Sequence, residues 1–217
     1  MIEAVVFDLD GVLVDSEPIW EDVRRAFVAE RSGRWLPDAQ RRLMGMSTAE
    51  WSRYLSADLG VGMTPEEVAR AVLDRMTGRY RQSLPLLPGA VDAVVRLARR
   101  WRLGVASSSP PPLIELVLDL AGVRRLFEVA VSTDDVERGK PAPDVYLAIA
   151  GRLAVEPGRC VAVEDSTNGL RSARAAGLRV IAVPRPEYPP EPDALVGIDR
   201  VLGSLAELTP ATIAALE

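Results

Sequence analysis

The sequence predicts an α/β fold: a mostly parallel sheet with helices on both faces, interrupted after its first strand by an all-helical insertion. Three observations predict it. Short apolar runs rich in Val, Ile and Leu recur along the chain, each closing on polar residues, as strands covered on both faces do. Segments with apolar residues at a spacing near 3.6 lie between them, and alternation of this kind builds right-handed βαβ units. Over residues 14–84 the alternation stops and only helical patterns remain.

The first strand is the run Val5-Val6-Phe7, which ends at Asp8 and Asp10 and turns at Gly11. Helical patterns follow near residues 19–30, 48–59 and 65–80. The third opens on Thr64-Pro65-Glu66-Glu67, an N-cap followed by proline in the first turn and acidic residues against the helix dipole. The chain returns through Leu84-Pro85-Leu86-Leu87-Pro88-Gly89. Strands are then expected at 103–106, 129–131, 161–163 and 180–183, and helices at 90–100, 113–121, 144–153 and 168–176. Residues 1–13 and 86–217 are expected to form one α/β core domain, and residues 14–85 a helical cap. Two connections crossing the same boundary make a hinge, so the cap can act as a lid over the sheet edge.

Composition narrows the function classes. With 217 residues and 48% hydrophobic content the chain can bury a substantial core. A net charge of -5 gives no electrostatic footprint for nucleic acid or an anionic membrane. The pairs Arg24-Arg25, Arg99-Arg100 and Arg124-Arg125 read as solvated helix faces. Cys160 is the single cysteine, which excludes an intrachain disulfide and suits a reducing compartment. Asp8 and Asp10 break the N-terminal apolar stretch before it could serve as a signal-peptide core, and no long uncharged run follows. A cytoplasmic monomer is expected. The chain has no histidine, which removes Ser/His/Asp triads, Cys/His dyads, His-ligated zinc and His phosphotransfer. Neither a GxxxxGK[ST] run nor a GxGxxG fingerprint after the first strand is present.

In a parallel sheet the carboxyl ends of all strands lie along one edge, where ligands bind. Asp8, Asp10, Ser107, Glu164 and Asp165 are therefore expected to converge there. Two carboxylates as close as Asp8 and Asp10 repel unless a cation or a shared proton compensates, which suggests a metal site or an acid/base pair.

Four ordered motifs carry a family resemblance: Asp8-Leu9-Asp10-Gly11-Val12-Leu13, Ala106-Ser107-Ser108, Gly139-Lys140-Pro141-Ala142-Pro143-Asp144 and Val163-Glu164-Asp165-Ser166. Together they resemble the haloacid dehalogenase superfamily, in its branch of sugar-phosphate phosphatases and β-phosphoglucomutases with a helical cap, over essentially the whole chain. The resemblance implies a Rossmann-like core and a small phosphorylated substrate. It makes Asp8 a nucleophile that forms an aspartyl phosphate and Asp10 the acid/base. It assigns Mg²⁺ to Asp8, the backbone carbonyl of Asp10 and Asp165, with Glu164 assisting directly or through water. Ser107 matches the hydroxyl that grips a phosphoryl oxygen, with the Ser108 backbone N–H as a second donor, and Lys140 matches the charge-balancing lysine. The flanking prolines suggest a cis Lys140-Pro141 bond.

Departures from the family's patterns rank the activities. Dehalogenating relatives lack the second acidic residue, present here as Asp10, and phosphonate-cleaving relatives use a cap lysine, absent from residues 14–84. The mutase branch carries a cap histidine and a cap-loop arginine where this chain has Trp20 and Thr48. Arg41, Arg42 and Arg53 are the alternative sources of charge. A phosphatase of a small sugar or polyol phosphate ranks first, a β-phosphoglucomutase-like mutase second, and a catalytically silent phosphate-sensing protein third. Around the substrate, Glu17 is expected to accept hydrogen bonds from hydroxyls and Trp20 to stack on a sugar face or pack in the cap core. Met44, Gly45 and Met46 match the cap loop that faces the site. The proline-rich run 184–192 reads as a surface loop.

Overall fold

Strand β1 (Ala4–Phe7) carries no polar side chain and is buried along its whole length, which suits the middle of a sheet. In the computed structural model, which describes residues 1–216, it is the third of six strands. The others are β2 (Arg102–Ser107), β3 (Val129–Ser132), β4 (Cys160–Glu164), β5 (Arg179–Ala182) and the short edge strand β6 (Arg200–Val201). Their order is β3-β2-β1-β4-β5-β6 and every pairing is parallel. Strand order reverses between β1 and β4, the crevice where open α/β sheets bind ligands.

Alternate side chains of β1 serve two cores. Val5 and Phe7 pack with α5 (Ala90–Leu97) and α6 (Pro111–Leu120), through residues such as Val94, Leu97, Leu113 and Val117. Ala4 and Val6 pack with α7 (Asp144–Arg152) and α8 (Thr167–Ala175), through Val145, Ile149, Leu170 and Ala173. Helices thus cover both faces, as alternation of strand and helix required.

Between β1 and α5 the chain is helical: α1 (Glu17–Glu30), α2 (Ala39–Leu43), α3 (Thr48–Arg53) with a π-turn at Tyr54–Asp58, and α4 (Pro65–Gln82). Thr64 caps α4 with a reciprocal box, accepting from the Glu67 N–H while the Glu67 carboxylate accepts from the Thr64 N–H. Trp51, Phe27, Met76 and Tyr80 fill the interior of this helical unit. Its two connections run side by side: the Asp15 N–H donates to the Pro85 carbonyl at 2.8 Å and the Leu87 N–H to the Leu13 carbonyl at 3.0 Å. Three elements, α2, β6 and α9 (Pro210–Ala214), lie outside the sequence expectation.

Candidate active site

Phe7 pairs with Val105 of β2 and Val163 of β4, and the Asp8 N–H continues the ladder to the Val163 carbonyl at 2.9 Å. This register carries Asp8 to the level of Ala106 and Glu164 at the sheet edge. Lys140 reaches the same point from the loop before α7. Its ammonium donates to Asp8 Oδ1 at 2.8 Å, Glu164 Oε1 at 2.6 Å and the Ala106 carbonyl at 3.0 Å, so all three of its protons are placed. Lys140 is the only lysine among 26 basic residues, a signal the sequence reading passed over. A compact ammonium with rotatable donors suits this three-way contact better than a planar guanidinium. The Lys140–Pro141 bond is cis, as its flanking prolines suggested.

Charge in this cluster is unevenly compensated. Burial pushes the Asp8 carboxyl up to about 8; Lys140 opposes the rise, and Glu164 and Asp10 add to it. Burial works against the Lys140 ammonium, but Asp8 and Glu164 outweigh it and hold its pKa above that of an ordinary lysine. Asp165 is raised well above the usual carboxylate range by burial, then by Glu164 and Asp8, and its Oδ1 is buried without a hydrogen-bond partner among the described residues.

Asp8, Glu164 and Asp165 each present a carboxylate oxygen within 4.8 Å of the others, all from buried residues. The donors are hard oxygens and the Asp165 oxygen lacks a partner, so the cluster fits a divalent cation that takes oxygen ligands. Glu164 is the most heavily used of the three. Its Oε1 accepts from Lys140 and from the Tyr146 hydroxyl at 2.8 Å, and its Oε2 from the Asp165 and Ser166 N–H groups and the Ser166 hydroxyl. A Cβ at Gly169 would fall on this carboxylate, and one at Gly11, whose φ is +80°, on that of Asp165, so glycine is required at both positions.

Asp10 faces the cluster from the turn after β1. Its Oδ2 accepts from the Ser109 hydroxyl at 2.8 Å and from the Ser107 hydroxyl at 3.3 Å. Ser107 is fully buried and also accepts from the Ser109 N–H at 2.9 Å, while Ser108 and Ser109 line the open cavity beside it. Ser109 and Tyr146 are polar contacts the sequence reading did not assign.

The cavity has a volume of about 630 Å³, within the range of small-molecule sites. Asp8, Asp10, Lys140 and Asp165 form its floor, and Met44, Gly45 and Met46 lie along the helical side. Gly45 has φ +75° and brings the cap loop close to Asn168. Glu17 also lines the cavity, with Oε2 accepting from Gln40 Nε2 at 2.7 Å. The proline-rich run is a loop, and residues 187–191 line the cavity. Its Arg185 guanidinium reaches Asp15 Oδ1 at 3.2 Å.

One expectation changes. Arg24 is not part of a solvated face: it is 5% exposed and lines the cavity, its guanidinium carbon 4.3 Å from the Trp20 ring centre and 5.1 Å from that of Trp51. The signal was present, because Trp20, Val23, Arg24, Phe27 and Val28 occupy one helical stripe and all are buried. Trp20 is 5% exposed, packs in the helical core with Arg24 over its ring, and also lines the cavity, so both expected placements meet at this residue.

Burial holds the Glu17 carboxyl at about 7, Arg24 opposing, against 4.5 for an ordinary glutamate. The folded state therefore binds this proton more tightly than the unfolded one. The resulting stability is complete below about pH 4.5 and is lost as pH rises through 7. Urea unfolding at about pH 5 and about pH 8 should show wild type losing about 2 kcal/mol more than Glu17→Gln, a figure discounted for the carboxylate's partial exposure. Equal pH dependence in the two proteins would remove the effect.

Similarity to known proteins gives this chemistry its class. The family model described as haloacid dehalogenase-like hydrolase matches residues 2–177, and the chain belongs to that family. It is an enzyme of the phosphomonoester hydrolase type. Among individual proteins, it is 37% identical over 214 residues to hexitol phosphatase B of Escherichia coli, covering 96% of this chain and 95% of that one. It is 34% identical over 182 residues to a phosphorylated carbohydrates phosphatase of Thermotoga maritima, covering 83% and 84%. The crystal structure of CbbY from Rhodobacter sphaeroides in complex with phosphate superposes with a TM-score of 0.84 at 31% identity, covering 99% of this chain and all of that one.

Proposed function

We propose that this enzyme is a Mg²⁺-dependent phosphatase that hydrolyses a small sugar or polyol phosphate through an aspartyl phosphate on Asp8. The observation that carries the reading is the floor of the cavity. A buried carboxylate held by the single lysine stands beside a second carboxylate, Asp10, whose Oδ2 is fixed by two serine hydroxyls. Similarity to a hexitol phosphatase and a phosphorylated carbohydrates phosphatase supports the substrate class.

Asp8 attacks phosphorus in line, and its bond to Lys140 keeps the carboxylate aimed at the cavity. Asp10 protonates the departing alkoxide and then takes a proton from the water that opens the aspartyl phosphate. Ser107, turning from Asp10, and the Ser108 N–H hold phosphoryl oxygens, while Ser109 keeps Asp10 in place. Lys140 balances the charge of the transferring group. Asp8, the Asp10 carbonyl and Asp165 would hold Mg²⁺; Glu164, its oxygens engaged by five donors, orients Lys140 and would assist the ion directly or through water. When bound, the ion neutralises repulsion between nucleophile and phosphoryl group. Residues 14–85 act as a cap that closes on residues 1–13 and 86–217, with Glu17, Met44, Gly45 and Met46 facing substrate.

A panel of sugar, polyol and nucleoside monophosphates assayed for released phosphate tests the reading. Turnover is expected with hexitol or hexose phosphates in the presence of Mg²⁺ and is expected to vanish with EDTA. Isomerisation of a hexose 1-phosphate to the 6-phosphate, dependent on a bisphosphate, would place the enzyme with the mutases instead.

A further inference from the structure

Arg24 is a buried cation whose charge is met only by two rings and, without direct contact, by the Glu17 and Asp10 carboxylates. No ion pair or hydrogen bond is made by its guanidinium among the described residues, and its Nε is enclosed and unsatisfied. Stacking on Trp20 and Trp51 contributes about 1–2 kcal/mol, against a desolvation cost of several kcal/mol for such an ion. Glu17 and Asp10 supply further compensation at a distance, but the guanidinium's hydrogen-bond donors remain unused and it lines the cavity.

Two acceptors on the same wall are also incomplete. Gln40 gives its Nε2 to Glu17 Oε2 and keeps a buried Oε1 with no partner. Glu17 Oε1 has no hydrogen bond among the described residues. A donor group without a hydrogen bond thus stands beside one buried acceptor without a partner, Gln40 Oε1, and a half-buried carboxylate that lines the cavity, Glu17. A second phosphate offers acceptors only and would meet the Glu17 carboxylate and the Gln40 carbonyl as like against like. Hydroxyl groups donate and accept, and match the whole set.

Resting on the phosphatase reading above, we infer that Arg24, Gln40 and Glu17 form a specificity site for the uncharged, polyhydroxylated end of a monophosphate. Arg24 donates to hydroxyl oxygens whose protons go to Glu17 and Gln40, and the same wall rejects a substrate charged at both ends. Leaving these buried groups unpaired is costly, so an ester lacking the hydroxyls is discriminated against.

The test compares kcat/KM for a hexitol 6-phosphate with that for ethyl phosphate. In Arg24→Met the ratio is expected to fall about 10- to 100-fold, with partial recovery in Arg24→Lys. Gln40→Met and Glu17→Gln lower the same ratio, which keeps the test open if Arg24→Met does not fold. Equal losses for the two esters would mark Arg24 as structural and overturn the inference. So would a hexose 1,6-bisphosphate turned over better than the monophosphate and most sensitive to Arg24. Tryptophan emission of Asp8→Asn titrated with hexitol 6-phosphate and with inorganic phosphate gives a readout independent of turnover. Adding Arg24→Met should weaken the first ligand far more than the second. Absence of turnover with every ester would sink the phosphatase reading alone; equal weakening of both ligands would sink the specificity site alone.

Discussion

Asp8→Asn is expected to lower phosphate release by at least about 10⁴-fold while the protein stays folded. The amide keeps the shape of the side chain at the end of β1 but has no carboxylate to attack phosphorus. The amide oxygen can still accept from the Lys140 ammonium, and Glu164 remains to balance that charge, so no buried ion is left alone. The thermal midpoint should therefore stay within a few degrees of wild type. Turnover at the wild-type rate would refute the nucleophile assignment, and an unfolded variant would refute the account of the burial.

Lys140→Met should damage both stability and chemistry. Lys140 is 8% exposed and its ammonium joins Asp8, Glu164 and the Ala106 carbonyl, so removing it takes the cation from two buried carboxylates and leaves Asp8 Oδ1 and the carbonyl without that donor. Breaking a buried pair from one side costs about 3–5 kcal/mol. The loss depends on pH, and its sign follows from Asp8. The folded-state value for Asp8 already lies above the ordinary 3.8 and rises further without the lysine. Stability is then retained in acid and falls as pH increases through that value. Urea unfolding should show the gap between variant and wild type widening as pH rises above about 8, where the wild-type Asp8 ionises beside Lys140 and the variant's carboxyl does not. Turnover should fall about 10²- to 10³-fold, the usual cost of losing a group that stabilises transition-state charge. A deficit that does not vary with pH would mean that Lys140 acts by packing alone.

The sheet was legible because apolar runs bounded by polar residues are a strong signal when both faces are covered. Strand β6 was not: Arg200 and Val201 are exposed and too few to form a pattern. Helix α2 has five residues, Ala39-Gln40-Arg41-Arg42-Leu43, with two buried, too short for a period to register. The sheet-edge residues could be placed because strand ends in a parallel sheet share one edge whatever their separation in the chain. Cap contacts were harder. Met44, Gly45 and Met46 lie on the cavity wall as their loop suggested, whereas Arg24 was read by its charge and not by its place in the buried stripe of α1. Nothing local in the run Glu187-Tyr188-Pro189-Pro190-Glu191 says that it lines the cavity, because that position depends on long-range contacts such as Arg185 with Asp15.

With a single lysine in the chain, the only side-chain ε-amine belongs to a buried ion cluster, where its carboxylate neighbours hold it protonated. Amine-directed reagents need an exposed, neutral amine, and the folded protein offers none at Lys140. Opening the sheet edge removes both protections at once. Labelling of that one nitrogen therefore counts molecules whose catalytic floor has come apart, with no other lysine side chain to confuse the signal.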